Sequence, residues 1–580
     1  MQAGVLYSYD DMARRIRWQI VIAAFSSILV LGLMSYLTLS TVVSSQPLAG
    51  GDYVEGLIGA PQQLNPLLTD GARDPSAADL QALLFDGLMR IGPDGSPEPA
   101  LARNRPSISS DGLVYTFNLR PDVRWHDGTQ LTADDVVFTL RAVAGRGFDG
   151  DPAAKALWQS VLVEKVDDYT VRCTLSAPFA PFLNHATFPI LPEHLLGDVP
   201  PEQWALIPFA SQPIGTGPYK ISEISGERAL LSANDNYFDG RPFIDQIEFR
   251  FYNEPQQALA ALTRGEVMGL GFLGTGDLGR SNTPRTVLRH QLPLDSYTTL
   301  TFNLRTEPLD DLELRRALAR GLDKQALIDS VLSGQVSKLD TPILPGWEGA
   351  DEHVTWYLFD SERAANDLTS LGWVPGDDGI RQKDGERLAF SLITDSTGDR
   401  LAAAQAIADQ WAVLGVDITV EQLDSATLAE RLSQHDFTFA LHGWQRLGSD
   451  PDVYSLWHSS QASQGNNYAG LRDETIDELL SSARAELDPV KRSAMYSEFQ
   501  ETWVNLAPSI TLYQPLFVYA TSSELDGLGF STTQTPIFDD HGDGQLDIAS
   551  NYLLIGRESR FRNVRLWSVL STREIRGVLR

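Results

Sequence analysis

Cysteine is nearly absent from this chain of 580 residues: there is one, Cys173. A lone cysteine excludes an intramolecular disulfide and any thiolate metal cluster. It stands in the alternating run Thr-Val-Arg-Cys-Thr-Leu at 170–175, with no activating partner beside it, and reads as a buried inert thiol. Histidine is scarce too. The nine are scattered, and none forms a two-His ligand spacing with an acid between, so no metal site is expected. Basic residues are the minority, 46 Lys+Arg against 76 Asp+Glu, for a net charge of −30. Such a surface repels phosphates, which argues against a nucleic-acid partner and fits a well-solvated acidic exterior. No Gly-x-Ser-x-Gly elbow or other nucleophile–base motif is present, so a surface hydrolase is a remote alternative, and neither enzymatic activity nor a cofactor is expected. Internal repeats and low-complexity segments are also lacking.

One long apolar run is present, at 18–39, with no charged residue inside it and with Arg14, Arg15 and Arg17 just before it. About twenty apolar residues span a bilayer as a helix, and the basic flank stays in the cytoplasm. A cleaved signal peptide has the same charge bias, but its apolar region is usually about 7–15 residues. The reading is an uncleaved single-pass anchor that leaves the rest of the chain outside the cytoplasm, in the periplasm or at the cell surface. No cysteine follows the run to carry a lipid. Residues 44–51 (Ser-Ser-Gln-Pro-Leu-Ala-Gly-Gly) read as a short flexible linker.

Beyond residue 52, 43% hydrophobic and 21% charged residues over the whole chain describe an ordinary globular composition. The most legible stretch is 125–140. Asp127-Gly128 supplies a turn after an alternating strand, and Thr132 precedes Asp135 by three residues, as in a capping box. Asp134 and Asp135 suit the positive end of a helix dipole. Turn and cap therefore account for His126, Asp127, Asp134 and Asp135 better than catalysis does. Gly215-Thr-Gly217-Pro-Tyr-Lys lacks the Gly-Lys-Ser/Thr ending of a phosphate loop and reads as a turn. At 539–547 acids and glycines resemble part of a calcium loop, but His541 and Ser550 stand where ligands belong, so a polar surface turn is preferred. From about 312 to 506 strands alternate with helices, as in an α/β lobe. The arginines after 557 read as partners for the protein's own acids.

Several stretches, in order, resemble the family 5 extracellular solute-binding proteins, the oligopeptide, dipeptide and nickel receptors of ABC importers. They are 85–88 with 93–102, 125–140, 213–220, 302–304 with 314–324, 371–373, 414–416 and 465–476. The resemblance implies an α/β, two-lobed periplasmic-binding-protein-like fold of the class II type, with an extra domain on the larger lobe. By analogy the organisation is 1–17 cytoplasmic, 18–39 transmembrane, 40–51 linker, 52–306 plus 509–570 lobe I, 307–508 lobe II and 571–580 a basic tail. Crossovers are expected near 304–309 and 507–514. The implied function is capture of peptides or similar oligomeric solutes by a monomeric receptor, for delivery to the permease subunits of an ABC transporter. The alternative is a non-peptide ligand of the same fold, an oligosaccharide or a metal chelate, for uptake or sensing.

The best candidate for a ligand loop is 442–452, Gly- and Pro-rich after a strand. Trp444 is its apolar platform, and Arg446 and Asp450 are its candidate charges. In the peptide-binding relatives the position three after this Trp carries an Asp that pairs with the ligand's α-amino group; here it is Leu447. A buried ammonium without a carboxylate is costly, so another acid, Asp450 or Asp452, must serve, or the ligand is not a free peptide. The resemblance adds Gln63, Leu64 and Asn65 as an N-terminal lining segment, and Asn466, Asn467 and Tyr468 as amide and hydroxyl donors. The competing reading of 450–452 is a turn that starts the next helix.

Overall fold

The computed structural model describes residues 9–68, 74–92, 95–148, 150, 152–271, 286–332, 336–351, 353–354, 356–396, 399–445, 450–463, 465–528 and 557–575. The calcium-like stretch at 539–547 lies outside them, as do Arg446 and Leu447.

Two hydrophobic cores organise the chain. The first gathers side chains from Tyr53 to Leu292 and again from Phe517 to Trp567. The second runs from Tyr297 to Tyr513. A mixed sheet passes through both lobes, in the order Asp417–Gln422, Ala389–Thr394, Phe439–Gln445, Ser296–Phe302, Ser509–Ser522, Gly269–Gly271, Asp52–Ile58, Gln246–Tyr252, Arg228–Ala233, Tyr219–Ile224. Its central strand, Ser509–Ser522, belongs to both halves. Residues 509–513 pair with Ser296–Phe302 in the second lobe, and 516–522 pair with Val287–Pro293 in the first. Leu294 packs on the first core and Tyr297 sits in the second, so the chain changes core there, ahead of the 306/307 boundary that the family resemblance implies. The reason is that Ser296–Phe302 pairs with Phe439–Gln445 along its whole length and so belongs to the second lobe's sheet.

The extra domain is a four-stranded antiparallel sheet, Ser107–Ile108, Val114–Asn118, Thr170–Leu175, Val161–Asp167, with helices Ala133–Ala144 and Pro152–Gln159 against it. Its side chains join the first core. Helix Ala133–Ala144 starts as its sequence dictates. The Thr132 N–H donates to Asp135 Oδ2 at 2.9 Å, and the Asp134 N–H donates to Thr132 Oγ1 at 3.3 Å, a complete capping box. Asp127 turns the chain by accepting the Thr129 N–H at 2.9 Å, and its other oxygen takes His194 Nε2 at 2.8 Å. His126 bridges two backbone groups, contacting Gly217 O through Nε2 at 3.1 Å and accepting the Gly215 N–H on Nδ1 at 3.2 Å. Burial holds its pKa down, at about 4, as a neutral structural imidazole. Gly215 and Gly217 are glycines because of close packing: a Cβ would fall 1.8 Å from Leu84 O and 2.4 Å from Leu83 O. Cys173 is fully buried, and desolvation pushes its thiol up to about 12, which makes it inert.

At the N-terminus, helix Tyr9–Val42 contains one stretch, Arg17–Met34, long and apolar enough to cross a membrane, with none of it buried. The segment expected to be a flexible linker is instead paired. Strand Val43–Pro47 runs antiparallel to Ser571–Ile575, and the Leu48 N–H donates to Leu570 O at 2.9 Å. Gly50 N–H then bonds Phe243 O at 2.7 Å, so the end of the connection lies on lobe I. Composition reads as loose here because the partner strand is more than five hundred residues away.

Candidate ligand-binding cleft

A cleft of about 870 Å³ opens between residues 153–185 of the extra domain and residues 444–485 of the second lobe. Strand Phe439–Gln445 delivers Trp444 to it. Beyond Leu441 that strand loses its neighbour Ala389–Thr394 and is paired on one side, by Ser296–Phe302. Trp444 is half-buried. Its indole stacks on Tyr468 (centroids 5.2 Å apart, 20° between planes) and meets His442 edge-on at 5.3 Å. His442 itself is buried, bonds Thr301 Oγ1 through Nε2 at 2.9 Å, and is held near pKa 3 by desolvation, then by the Arg400 charge.

Asp450 and Asp452 line the same cleft and also build the turn that begins helix Tyr454–Trp457. The Asp452 N–H donates to Asp450 Oδ1 at 3.0 Å, and the Tyr454 N–H donates to Asp452 Oδ1 at 3.1 Å. Helix Glu474–Ala485 forms the floor. Asp473 caps it by accepting the Ile476 N–H at 3.0 Å; Ile476, Leu480 and Ala483 point into the core, and Ser481, Arg484 and Ala485 turn to the cleft. Arg484 Nε donates to Asp452 Oδ2 at 2.8 Å, and its guanidinium lies 4.2 Å from the Tyr454 ring and 5.1 Å from the Phe179 ring across the cleft. The backbone closes the same gap, where the Ala180 N–H donates to Arg484 O at 2.8 Å. Phe179 is backed by His185, stacked at 5.7 Å.

Of the residues singled out from the sequence, Trp444, Asp450 and Asn466 line this cleft, and Tyr468 stands behind Trp444. Asn467 does not reach it. The side chain is fully buried, donating to Trp457 O, His458 O and Leu471 O and accepting the N–H groups of Gly470 and Leu471, so it fastens a turn. Gln63, Leu64 and Asn65 are also away from the lining. Leu64 is buried in the first core, Asn65 is buried and accepts the Leu67 N–H at 3.1 Å, and Gln63 donates to Leu68 O at 3.0 Å. This segment turns inward after its strand because Leu64 and Leu67 both pack on the core. Sequence reasoning missed the opposite wall, Leu157, Ser176, Phe179 and Asn184 among it, together with Tyr454 and Arg484. The Pro- and aromatic-rich composition of 178–192 was the available signal for the first group. Arg484 could have been found from its place one turn after Leu480, at the margin of its helix's apolar stripe, where a charge is partly buried.

Two lobes joined through a shared strand, with a polar–apolar cleft between them, define a class of receptors that bind by closure. The chain belongs to the bacterial extracellular solute-binding proteins, family 5, whose model matches residues 96–466. Its relatives include the oligopeptide-binding protein AppA of Bacillus subtilis, 29% identical over 495 residues, covering 83% of this chain and 90% of that one. The dipeptide-binding protein of Escherichia coli is 26% identical over 502 residues, covering 81% and 91%. The structure of AppA with a nonapeptide superposes with a TM-score of 0.72 at 26% identity, over 90% of this chain and all of that one. NikZ from Campylobacter jejuni, with Ni(L-His), gives 0.72 at 25% identity, over 89% and 99%.

Proposed function

We propose that this protein is an extracytoplasmic receptor that captures peptides between its two lobes and passes them to the permease of an ABC importer. The observation that carries this reading is the cleft between Phe179 on one wall and Trp444, Tyr454 and Arg484 on the other, with apolar faces for varied side chains and hydroxyls and amides for an extended backbone. The AppA and dipeptide-binding relatives, peptide binders by name, support the same ligand class. Closure turns about the paired crossings at Leu294–Asp295 and Gln514–Pro515, where the Leu294 N–H donates to Pro515 O at 3.1 Å and Gln514 Nε2 donates to Leu294 O at 2.8 Å. The role is binding without turnover. Helix Tyr9–Val42 holds the receptor at the membrane as an uncleaved anchor, and its basic start sets the lobes outside. Val43, the first residue after that helix, begins the strand clasped by Ser571–Ile575, which ties the anchor to lobe I.

The test is thermal unfolding of the full chain in detergent against panels of peptides, oligosaccharides and metal chelates. A bound ligand raises apparent stability with the logarithm of its concentration over Kd. Peptides are expected to shift the transition; sugars or chelates doing so while peptides do not would overturn the reading. N-terminal sequencing of membrane-purified protein should begin at the original N-terminus; a start after residue 40 would refute the anchor.

A further inference from the structure

At one edge of the cleft the two lobes hold each other through their own atoms. Helix Glu474–Ala485 ends there on the lobe II side, and the last carbonyls of a helix find no donor within it. For Arg484 O the donor one turn on would be the Asp488 N–H, but that group donates to Glu486 Oε1 at 2.8 Å. The Ala180 N–H of the extra domain takes its place across the cleft, at 2.8 Å. Phe179, one residue earlier, puts its ring 5.1 Å from the Arg484 guanidinium. That guanidinium is kept in position by Asp452, which accepts from Nε at 2.8 Å, and by the Tyr454 ring at 4.2 Å.

Leu487, just past the helix, makes a third contact. It lies over Gly112 in the hairpin turn of the extra domain, where a Cβ would stand 2.7 Å from Leu487 Cδ1 and 3.7 Å from Pro178 Cβ. Gly112 has a φ of +69°, so the turn and the close approach both call for glycine. Leu487 and Gly112 lie outside the cleft lining, and Leu487 is 44% exposed even with this contact made. Phe179 packs on the first core and helix Glu474–Ala485 on the second, so opening the lobes separates all three contacts together.

We propose that Gly112, Phe179 and Ala180 of the extra domain and Arg484 and Leu487 of lobe II form a latch that closes the receptor by itself. The closed form is then well populated before any ligand arrives, and a ligand adds its contacts to a closure the protein already favours. Apparent affinity scales with the closed fraction, so the latch sets how tightly every ligand is held without touching its selectivity. The proposal needs two lobes that open and close and no particular ligand, so it stands or falls apart from the peptide reading.

The experiment uses the full chain in detergent, exhaustively dialysed and with no ligand added. Spin labels on Glu164→Cys in the extra domain and Glu478→Cys in lobe II, both exposed and outside the cleft lining, report the separation of the lobes by double electron–electron resonance. Cys173 is fully buried and stays unlabelled. The unlatched background should show a short-distance population at the separation of the closed structure only weakly, and the intact latch should show it strongly. Leu487→Ser should lower the closed-to-open ratio about fivefold, by loss of a half-buried leucine contact, and Phe179→Leu about threefold, by loss of the ring beside the guanidinium. The double variant should lower it about tenfold or more. Hydrogen exchange reads the bond itself: the Ala180 amide should exchange about tenfold faster in the double variant than in wild type. A wild type without the short-distance population, or a double variant with unchanged ratio and unchanged exchange at Ala180, would overturn the latch.

Discussion

Replacing Arg560 with methionine tests how lobe I is fastened. Arg560 is 1% exposed and sits between Glu55 and Asp79, both fully buried. Nη1 and Nη2 donate to Asp79 at 2.7 and 3.2 Å, and Nε donates to Glu55 at 3.2 Å, with a further contact from Nη2 to Glu55. Glu55 also accepts the hydroxyls of Tyr53 and Tyr519, at 2.8 Å each. The guanidinium thus ties the C-terminal turn Arg557–Leu566 to the opening strand and to helix Pro75–Leu84. Methionine matches much of the volume but removes the guanidinium from beside two buried carboxylates. Breaking a buried pair in this way costs about 3–5 kcal/mol. Urea denaturation followed by Trp fluorescence measures the deficit, with Trp567 buried 5.4 Å from Phe561 as a local reporter. Adding Glu55→Gln and Asp79→Asn to the Met variant should recover most of the loss. A single-variant deficit below about 1 kcal/mol, or no recovery in the triple variant, would refute this account of the cluster.

Three further outcomes are expected. Trp444→Ala should weaken peptide binding at least about tenfold while costing no more than about 2 kcal/mol of stability, since the ring is half-buried and its stacking on Tyr468 is worth about 0.5–1.5 kcal/mol; unchanged affinity by calorimetry would remove Trp444 from the site. His290 is buried against Thr521 and desolvation holds it at about 4, so the stability it confers is present above the unfolded value of about 6.5 and is lost as pH falls toward 4. Denaturation midpoints should show wild type losing about 2 kcal/mol more than His290→Gln between pH 7 and pH 5, and parallel losses would contradict the assignment. Gly215→Ala should destabilise by about 1–3 kcal/mol because its Cβ would collide with Leu84 O at 1.8 Å; a neutral result by thermal unfolding would show that the backbone there yields.

Read alone, the sequence determined what short-range physics decides. The Asp127-Gly128 turn and the Thr132–Asp135 box each depend on neighbours within a few residues, and each is found where the pattern puts it, whereas 442–445, expected in a loop, extend strand Phe439–Gln445 because it stays paired with Ser296–Phe302. Burial of Cys173 followed from its alternating strand, and the pairing of late arginines with the protein's own acids holds for Arg560 and for Arg565, which donates to Asp239 at 3.0 Å. Tertiary structure decided the rest. Leu64 and Asn65 pass into the core, and Asn467 ties a turn, because packing of the surrounding lobe, and not their own polarity, sets where they point. The stretch after the membrane helix becomes a strand once Ser571–Ile575 comes beside it. The cleft forms where Phe179 of the extra domain meets Arg484 some three hundred residues later in the chain, and pairing between lobes leaves no local periodicity to read. For the same reason the state of Asp452, a bare acid in the sequence, became apparent only when the fold set Arg484 against it.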